Sequence, residues 1–575
     1  METKSPRSAK IRMRDGTRLS ADIYMPPHVE GPSPVILHLT PYGGKNSGHD
    51  AGVFFSKNNY IFVRVSCRGC EASEGTFELF SQDGRDGFDS VRWLSDQAWC
   101  NGQVAMWGGS YCGFTQWATA AEFPPNLAAI APVASCGIVW DYPMTNNIFM
   151  CHSAFYCIFV DRAATRRESI DGRPFSWREV YYKRFMEHLP FDSLDSLAGY
   201  PSEIFQNLIR HPTLDSHWSS VLPGESDYQK INIPILTITG HYDGDQRGAL
   251  MYARNHQEYG MHDAIARHDV VIGPWNHTGS CTQPTRYLAG LDFGESCEID
   301  LLDLHLQWYD WALKGSERPS FLRKRVAYFV EGSNRWKSAD NLCDLENARV
   351  RYYLASPDGE ASLARPGNLS VDSHSAPLPV EFVYDPLDTS PAAFERDHET
   401  VYHSDSSHAQ RFLVDQSPIL AHILKQNGVV YQSEPFEHDI EMIGNMRLVV
   451  WLSMDVPDTD FQVCIYEIKN DQRSIILTDA MMRARYRDSL TTQSLVVPGE
   501  VSRYEFDQFQ FFARQIRKGS RLRLVFQCVN SIYWQKNYNS GGAVAQETVK
   551  DARTAHVTVH QSSSYPSFLE VPIVE

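Results

Sequence analysis

A parallel α/β sheet, interrupted by a helical insertion and followed by a β-sandwich, is the fold this 575-residue chain predicts. Three observations carry that expectation. Apolar strand-like runs alternate with helical stretches as far as a Gly-Gly-Ser turn at 108–110. An aromatic-rich, helical segment then breaks the alternation before it resumes. After about Leu345, short alternating strands punctuated by Pro, Gly, Asp and Ser take over, the grammar of a sandwich or jelly roll.

In chain order, Ile11–Arg14 and Leu19–Tyr24 flank an Asp15-Gly16 turn and read as a hairpin. Val35–Leu39 and Tyr60–Val65 are short apolar runs of the buried-strand type, with room for a helix at Ala51–Asn58 between them. Asp86–Leu94 sets Phe88, Val91 and Leu94 at helical spacing behind an acidic start that suits a helix N-terminus. A turn at Cys100-Asn101-Gly102 leads into the run Val104–Trp107 and a helix at Phe114–Ala121. From 138 to 228 only helices are expected, among them Trp177–His188 and Ser202–His211. Strands return at Ile233–Thr239 and Asp269–Ile272, followed by an amphipathic helix, Asp300–Leu313, that Lys314-Gly315 stops. The later strands are Arg349–Leu354, Arg447–Met454, Phe461–Lys469, Ser474–Ala480, Arg521–Cys528 and Thr554–His560. The domain boundaries expected are 1–137 and 229–345 for the two parts of the sheet, 138–228 for the insertion and 346–575 for the jelly roll.

Composition narrows the function. A formal charge of −17 argues against nucleic acid or anionic membrane as partners. No apolar window is long enough to span a bilayer and no secretory leader opens the chain, so it reads as soluble and cytoplasmic. Twelve scattered cysteines include one CxxC, Cys67 and Cys70, with no second pair to make a zinc site and no redox context. No metal or cofactor is expected.

Chemistry concentrates at Gly108-Gly109-Ser110-Tyr111-Cys112-Gly113, between a short strand and a helix. A serine on such a turn projects its hydroxyl above the sheet, and the N–H of the following residue, Tyr111, opens a helix where an oxyanion can be held. The pattern departs from G-x-S-x-G, because Cys112 stands at the second glycine and Gly113 follows one residue later. Asp243 follows the strand ILTIT and His277 follows the run VVI, so serine, acid and histidine come in the chain order of an α/β-hydrolase domain. Asp243 would orient one imidazole nitrogen of His277 while the other takes the Ser110 proton. His38, His262 and His268 are read as structural.

These blocks resemble the cocaine esterase-like hydrolases, relatives of the X-prolyl dipeptidyl peptidases, α-amino acid ester hydrolases and glutaryl acylases. The matching segments are Met13–Leu19, Pro41-Tyr42, Arg68-Gly69 with Ser73-Glu74-Gly75, the 108–113 elbow, Tyr242-Asp243-Gly244 and Gly273-Pro274-Trp275 with His277. Asp458–Phe461, Arg483 to Arg487 and Asn539–Gly542 look like the family's jelly-roll blocks. The resemblance implies an α/β-hydrolase domain with a helical cap insertion and a C-terminal β jelly-roll domain. It implies a Ser110, Asp243 and His277 triad, with the Tyr42 hydroxyl and the Tyr111 N–H as the oxyanion hole. Gly43-Gly44 would give a more open loop beside Tyr42 than many relatives have.

For substrate, the expectation is a small acyl ester or amide, with no nucleic acid or membrane partner and a homodimer left open. Trp140 and Asp141 open the insertion where relatives line the acyl pocket, and Asp245 sits two residues beyond Asp243. The resemblance to the α-amino acid ester hydrolases, which group acidic residues there to hold a substrate ammonium, implies an amine-bearing acyl group at Asp141 and Asp245, since a buried carboxylate pair needs a cation to offset its desolvation. The alternative is a solvated or capping Asp245. An acyltransferase, an X-Pro dipeptidyl peptidase and a non-catalytic binding module remain the rival readings.

Overall fold

The computed structural model describes residues 5–28, 31–43, 48–165, 176–288, 290–345, 349–372, 377–396 and 427–574. Gly44, half of the expected open loop, lies outside them.

Ten strands form the first sheet: β1 (Arg7–Arg12), β2 (Arg18–Tyr24), β3 (Ser33–Thr40), β4 (Ile61–Ser66), β5 (Cys100–Gly109), β6 (Leu127–Val133), β7 (Ile235–Tyr242), β8 (His268–Asn276), β9 (Val326–Val330) and β10 (Arg335–Ala339). Their order is β1-β2-β4-β3-β5-β6-β7-β8-β9-β10. The interior from β4 through β9 is parallel, and antiparallel pairs close both edges. Parallel strands are covered on both faces, which is why β3, β4, β7 and β8 carry nearly continuous buried runs instead of alternating ones. On one face Val91, Leu94, Phe114 and Trp117 pack with the cap. On the other, Phe55 from helix His49–Lys57 and Trp308 and Tyr309 from helix Leu301–Lys314 fill the second core.

Several expected boundaries move. The turn expected at Cys100-Asn101-Gly102 lies inside β5, where register shifts against β3 between Ser33 and Val35 and the chain bulges without ending the strand. Helix Asp83–Ser95 begins three residues earlier than expected, and Tyr111–Ala121 begins directly at the elbow. The two insertion helices are shorter, Trp177–Met186 and Glu203–Ile209, each started by a serine cap (Ser176 and Ser202). The insertion also holds a tight two-strand pair, Met144–Thr145 with Ile148–Phe149, where only helices were expected. Cys67 and Cys70 are buried in the core, and all twelve cysteines are unpaired. His38 and His268 are buried, the first bonded to the Trp107 carbonyl and the second to Thr237, whereas the side chain of His262 is 98% exposed.

Strands from Arg349–Ala355 to Phe568–Val574 build the second sheet system, whose faces enclose a separate core that includes Leu448, Phe461 and Phe526. A buried polar network joins this sandwich to the first sheet. Glu331, just past β9, accepts from the Tyr242 hydroxyl at 2.8 Å and from Arg514 at 2.8 Å, and it pairs with His241 Nδ1 at 2.9 Å. Arg514 reaches on to Glu467 at 2.7 Å. Every member offsets the desolvation of another, so the network fixes the end of β7 against the sandwich.

Candidate active site

Ser110 caps helix Tyr111–Ala121 with φ 61° and ψ −126°, a strained conformation for a residue with a Cβ. Its N–H donates to the Val133 carbonyl at 2.9 Å, and the Gly113 N–H donates to its own carbonyl at 2.8 Å. The strain, of order 1–3 kcal/mol, is held by these bonds and by close packing. The glycines around it follow from distance. A Cβ at Gly109 would stand 2.6 Å from Cys281 Sγ, and one at Gly113 would stand 2.9 Å from the Val133 carbonyl oxygen and 2.4 Å from Ser135 Oγ. Cys112 is buried with its side chain accommodated, so the glycine the turn requires is Gly113.

Asp243 and His277 lie after β7 and β8, as their positions in sequence require. His277 Nδ1 and Asp243 Oδ1 are 2.9 Å apart, with Asp243 fully buried and the imidazole 30% exposed. His277 opens a short helix capped by the Asn276 side chain, which accepts from the Gly279 N–H at 2.9 Å. The Asp243 loop is gripped by the sandwich: Gln510 donates to the Asp243 carbonyl at 3.2 Å, and Gln246 both donates to and accepts from Phe511.

The Ser110 hydroxyl does not bond His277 among the described residues. It accepts from the Tyr42 hydroxyl at 3.4 Å and also interacts with the Asp245 carboxylate. His277 Nε2 faces Cys281 Sγ at 4.0 Å. Proton transfer to His277 requires the serine hydroxyl to leave these two partners.

Electrostatics set the protonation states. Burial opposes a charge on His277, but Cys281, Asp243 and Asp245 together outweigh it and hold the imidazole well above its ordinary range. Burial pushes the Asp245 carboxyl up to about 7, opposed by His277 and by Ser110 and reinforced by Asp243. Burial likewise raises the Tyr42 phenol, which stays a neutral donor through the physiological range. The Tyr111 side chain donates to Asp83 at 2.7 Å and accepts from the Phe80 N–H at 2.8 Å, anchoring the helix whose first N–H is its own.

The three remaining site residues separate. Asp141 is 1% exposed, and its two oxygens accept the N–H groups of Gly137 and Gly248. Burial and the nearby Asp245 keep its carboxyl well above the usual range. With Gly244 it lines a cavity of about 370 Å³ walled by Phe155, Trp177 and Tyr181 of the insertion and Tyr533 and Trp534 of the sandwich. Trp140 is half-buried and lines a different cavity, of about 230 Å³, beside Arg254 and Phe509. Sequence reasoning passed over Tyr156, whose hydroxyl donates to that of Tyr42 at 3.3 Å, and Cys281 beside the imidazole.

A serine on a strained elbow, a buried acid on an imidazole and a phenol at the serine define a serine hydrolase of carboxylic esters or amides. The comparisons with known proteins agree. Residues 15–279 match the X-Pro dipeptidyl-peptidase (S15 family) model, and residues 322–570 match the X-Pro dipeptidyl-peptidase C-terminal non-catalytic domain. The chain belongs to this family, with the cocaine esterase-like hydrolases. It is 26% identical over 592 residues to the cocaine esterase of Rhodococcus sp. (strain MB1 Bresler), covering 98% of each. The fold matches an aminopeptidase from a marine sediment archaeon, Thaumarchaeota archaeon, with a TM-score of 0.82 at 21% identity over 100% of this chain and 97% of that one. An α-amino acid ester hydrolase matches at 0.79 and 19% identity over 99% and 96%. Among the described residues, no helix is long and apolar enough to cross a membrane.

Proposed function

We propose that Ser110 attacks the acyl carbon of a small ester or amide to form an acyl-enzyme, with His277 as general base and acid and Asp243 as its orienting partner. The Tyr42 hydroxyl and the Tyr111 N–H receive the oxyanion. The carrying observation is the 2.9 Å contact of His277 with a buried Asp243 beside a strained serine. The decisive experiment is intact-mass analysis after mixing with a p-nitrophenyl ester. With an ester whose acyl group leaves the serine slowly it should show one acyl group, mapped to the Ser110 peptide, and an acyl group mapped to any other residue would overturn the assignment. Water, amine and alcohol acceptors distinguish hydrolase from acyltransferase, and an Ala-Pro anilide tests dipeptidyl peptidase activity. Twelve unpaired cysteines support a reducing, cytoplasmic setting.

A second reading concerns the acyl group. Asp245 faces Ser110, and Asp141 is close enough to Asp245 to raise its own carboxyl. Two neighbouring buried carboxyl groups, one of them at Ser110, favour a substrate ammonium, whose charge would offset their desolvation. An α-amino acyl p-nitrophenyl ester should then show kcat/KM about tenfold or more above its N-acetyl form, given that charge-assisted bonds are worth roughly 1.5–3 kcal/mol. Equal values for the two esters would remove the amine from the model.

Asp245 also tunes the base. Only neutral imidazole can take the serine proton, and negative charge at Asp245 favours the protonated form. Activity should therefore rise with pH along an acid limb, and Asp245→Asn should move that limb to lower pH. The measurement is kcat/KM against pH for both proteins with a neutral substrate. A limb that stays in place, or moves up, would show that Asp245 does not act on His277.

A further inference from the structure

A second cavity, of about 440 Å³, lies between the insertion and the sandwich and contains none of Ser110, Asp243, His277 or Tyr42. It is built on the Arg483 to Arg487 and Asn539–Gly542 segments, sequence blocks for which the hydrolytic site has no use. Arg483 and Arg485 line it from the sandwich and Arg210 from the insertion, with Asp192 as the single acidic side chain in the lining. In a chain of formal charge −17, three arginines converge here on one cavity.

The hydrogen bonds show which polar ends remain unused. Arg483 is only 2% exposed and spends Nε and Nη2 on Asp460, at 2.8 and 2.9 Å, and Nη2 also on Gln535 Oε1 at 2.8 Å. Its Nη1 has no protein acceptor among the described residues. Arg485, 7% exposed, gives Nε to Asp458 at 2.8 Å and Nη1 to Gln493 Oε1 and the Gly542 carbonyl. Its Nη2 is buried without a partner. Because both glutamines turn their oxygens toward an arginine, their amide NH2 ends are left as donors. Gln546 and Arg210 add further donors to the same lining.

A buried donor without an acceptor is costly, and Arg485 Nη2 is one, beside the unused Nη1 of Arg483. Asp458 and Asp460 offset the charges of Arg485 and Arg483, so the charge left over is that of Arg210 against Asp192. The arginine ends and the Gln493 and Gln535 amides leave more unused donors than the Asp192 carboxylate can satisfy. A neutral sugar would bring as many donors as acceptors and would leave this imbalance in place, whereas an oxyanion brings acceptors alone. We infer that this cavity is a binding site for a small oxyanion-bearing ligand, a polycarboxylate or a phosphate ester, held by Arg483, Arg485 and Arg210 with the Gln493 and Gln535 amides. The site is independent of the acyl site and of how that site is read.

Isothermal titration of the full-length wild type with citrate and with inorganic phosphate, each against sodium chloride of matched ionic strength, tests it. At least one oxyanion should bind saturably with one site per chain. Arg210→Gln, which changes a surface residue, and Gln493→Ala should each weaken that binding about tenfold, the loss of one charge-assisted bond. Both variants should keep the esterase kcat, which separates this outcome from misfolding or from failure of the acyl-enzyme reading. Binding of citrate alone assigns a polycarboxylate, and binding of phosphate assigns a phosphate ester. No saturable heat with either anion, or equal affinity in wild type and both variants, would overturn the site.

Discussion

Replacing Ser110 with alanine should lower kcat by about 10⁴-fold or more while leaving the fold intact, the scale on which a covalent nucleophile contributes when its partners stay in place. The structure offers no substitute for it. Cys281 is a competing nucleophile beside His277, but burial raises its thiol even there, so it holds little thiolate at neutral pH. Its sulfur also packs where a Gly109 Cβ would be, behind the elbow. The Ser110→Ala chain keeps the same positive φ and the same N–H to the Val133 carbonyl, so thermal unfolding should change little. A fluorophosphonate probe should label the wild type and leave the variant unlabelled. Retention of more than about one hundredth of wild-type kcat, against the loss expected of a nucleophile, would place the chemistry elsewhere, as would a wild type that never reacts with the probe.

The residues nearest the chemistry were the ones most readable in sequence. Ser110 announces itself because a sharp strand-to-helix turn demands glycines, and glycine is visible one residue at a time. Asp243 and His277 follow because the edge of a parallel sheet puts strand-end loops side by side, so apolar runs ending in Tyr-Asp-Gly and Trp-Asn-His locate them. What stayed hidden depends on distance through the fold. Strand β6 is Leu-Ala-Ala-Ile-Ala-Pro-Val, small and proline-bearing, and only its seat between β5 and β7 makes it a strand. β9 and β10 were passed over next to a strong helix. Tyr156 sits in an ordinary-looking helix and gains its meaning from a tyrosine 114 positions away. The Glu331, Arg514 and Glu467 network joins charges far apart in sequence, and no local pattern distinguishes a buried arginine from a solvated one. Trp140 and Asp141 show the same limit at short range, since adjacent residues point into separate cavities. A helix or turn alternates direction faster than sequence position can report.

Tyr42→Phe should cost about 10²–10³-fold in kcat with a small change in KM, the loss expected when one oxyanion donor is removed. In the resting site the phenol spends its single proton on Ser110 Oγ, at 3.4 Å, and it accepts from Tyr156 at 3.3 Å. Both contacts are long, so little is lost when the proton turns to an oxygen that carries developing charge. Tyr156→Phe therefore makes a useful contrast. It deletes a donor to the Tyr42 oxygen but leaves the Tyr42 proton in place, and its effect should be much smaller. Because burial raises the Tyr42 phenol, the hydroxyl remains a donor across the assay range, and the loss in Tyr42→Phe should be the same at each pH on the plateau. On the proposed reading, the oxyanion donor left in Tyr42→Phe is the Tyr111 N–H, a backbone group that the substitution does not touch. If Tyr42→Phe falls within about threefold of wild type, well short of a donor's usual contribution, the oxyanion is held by something other than this phenol.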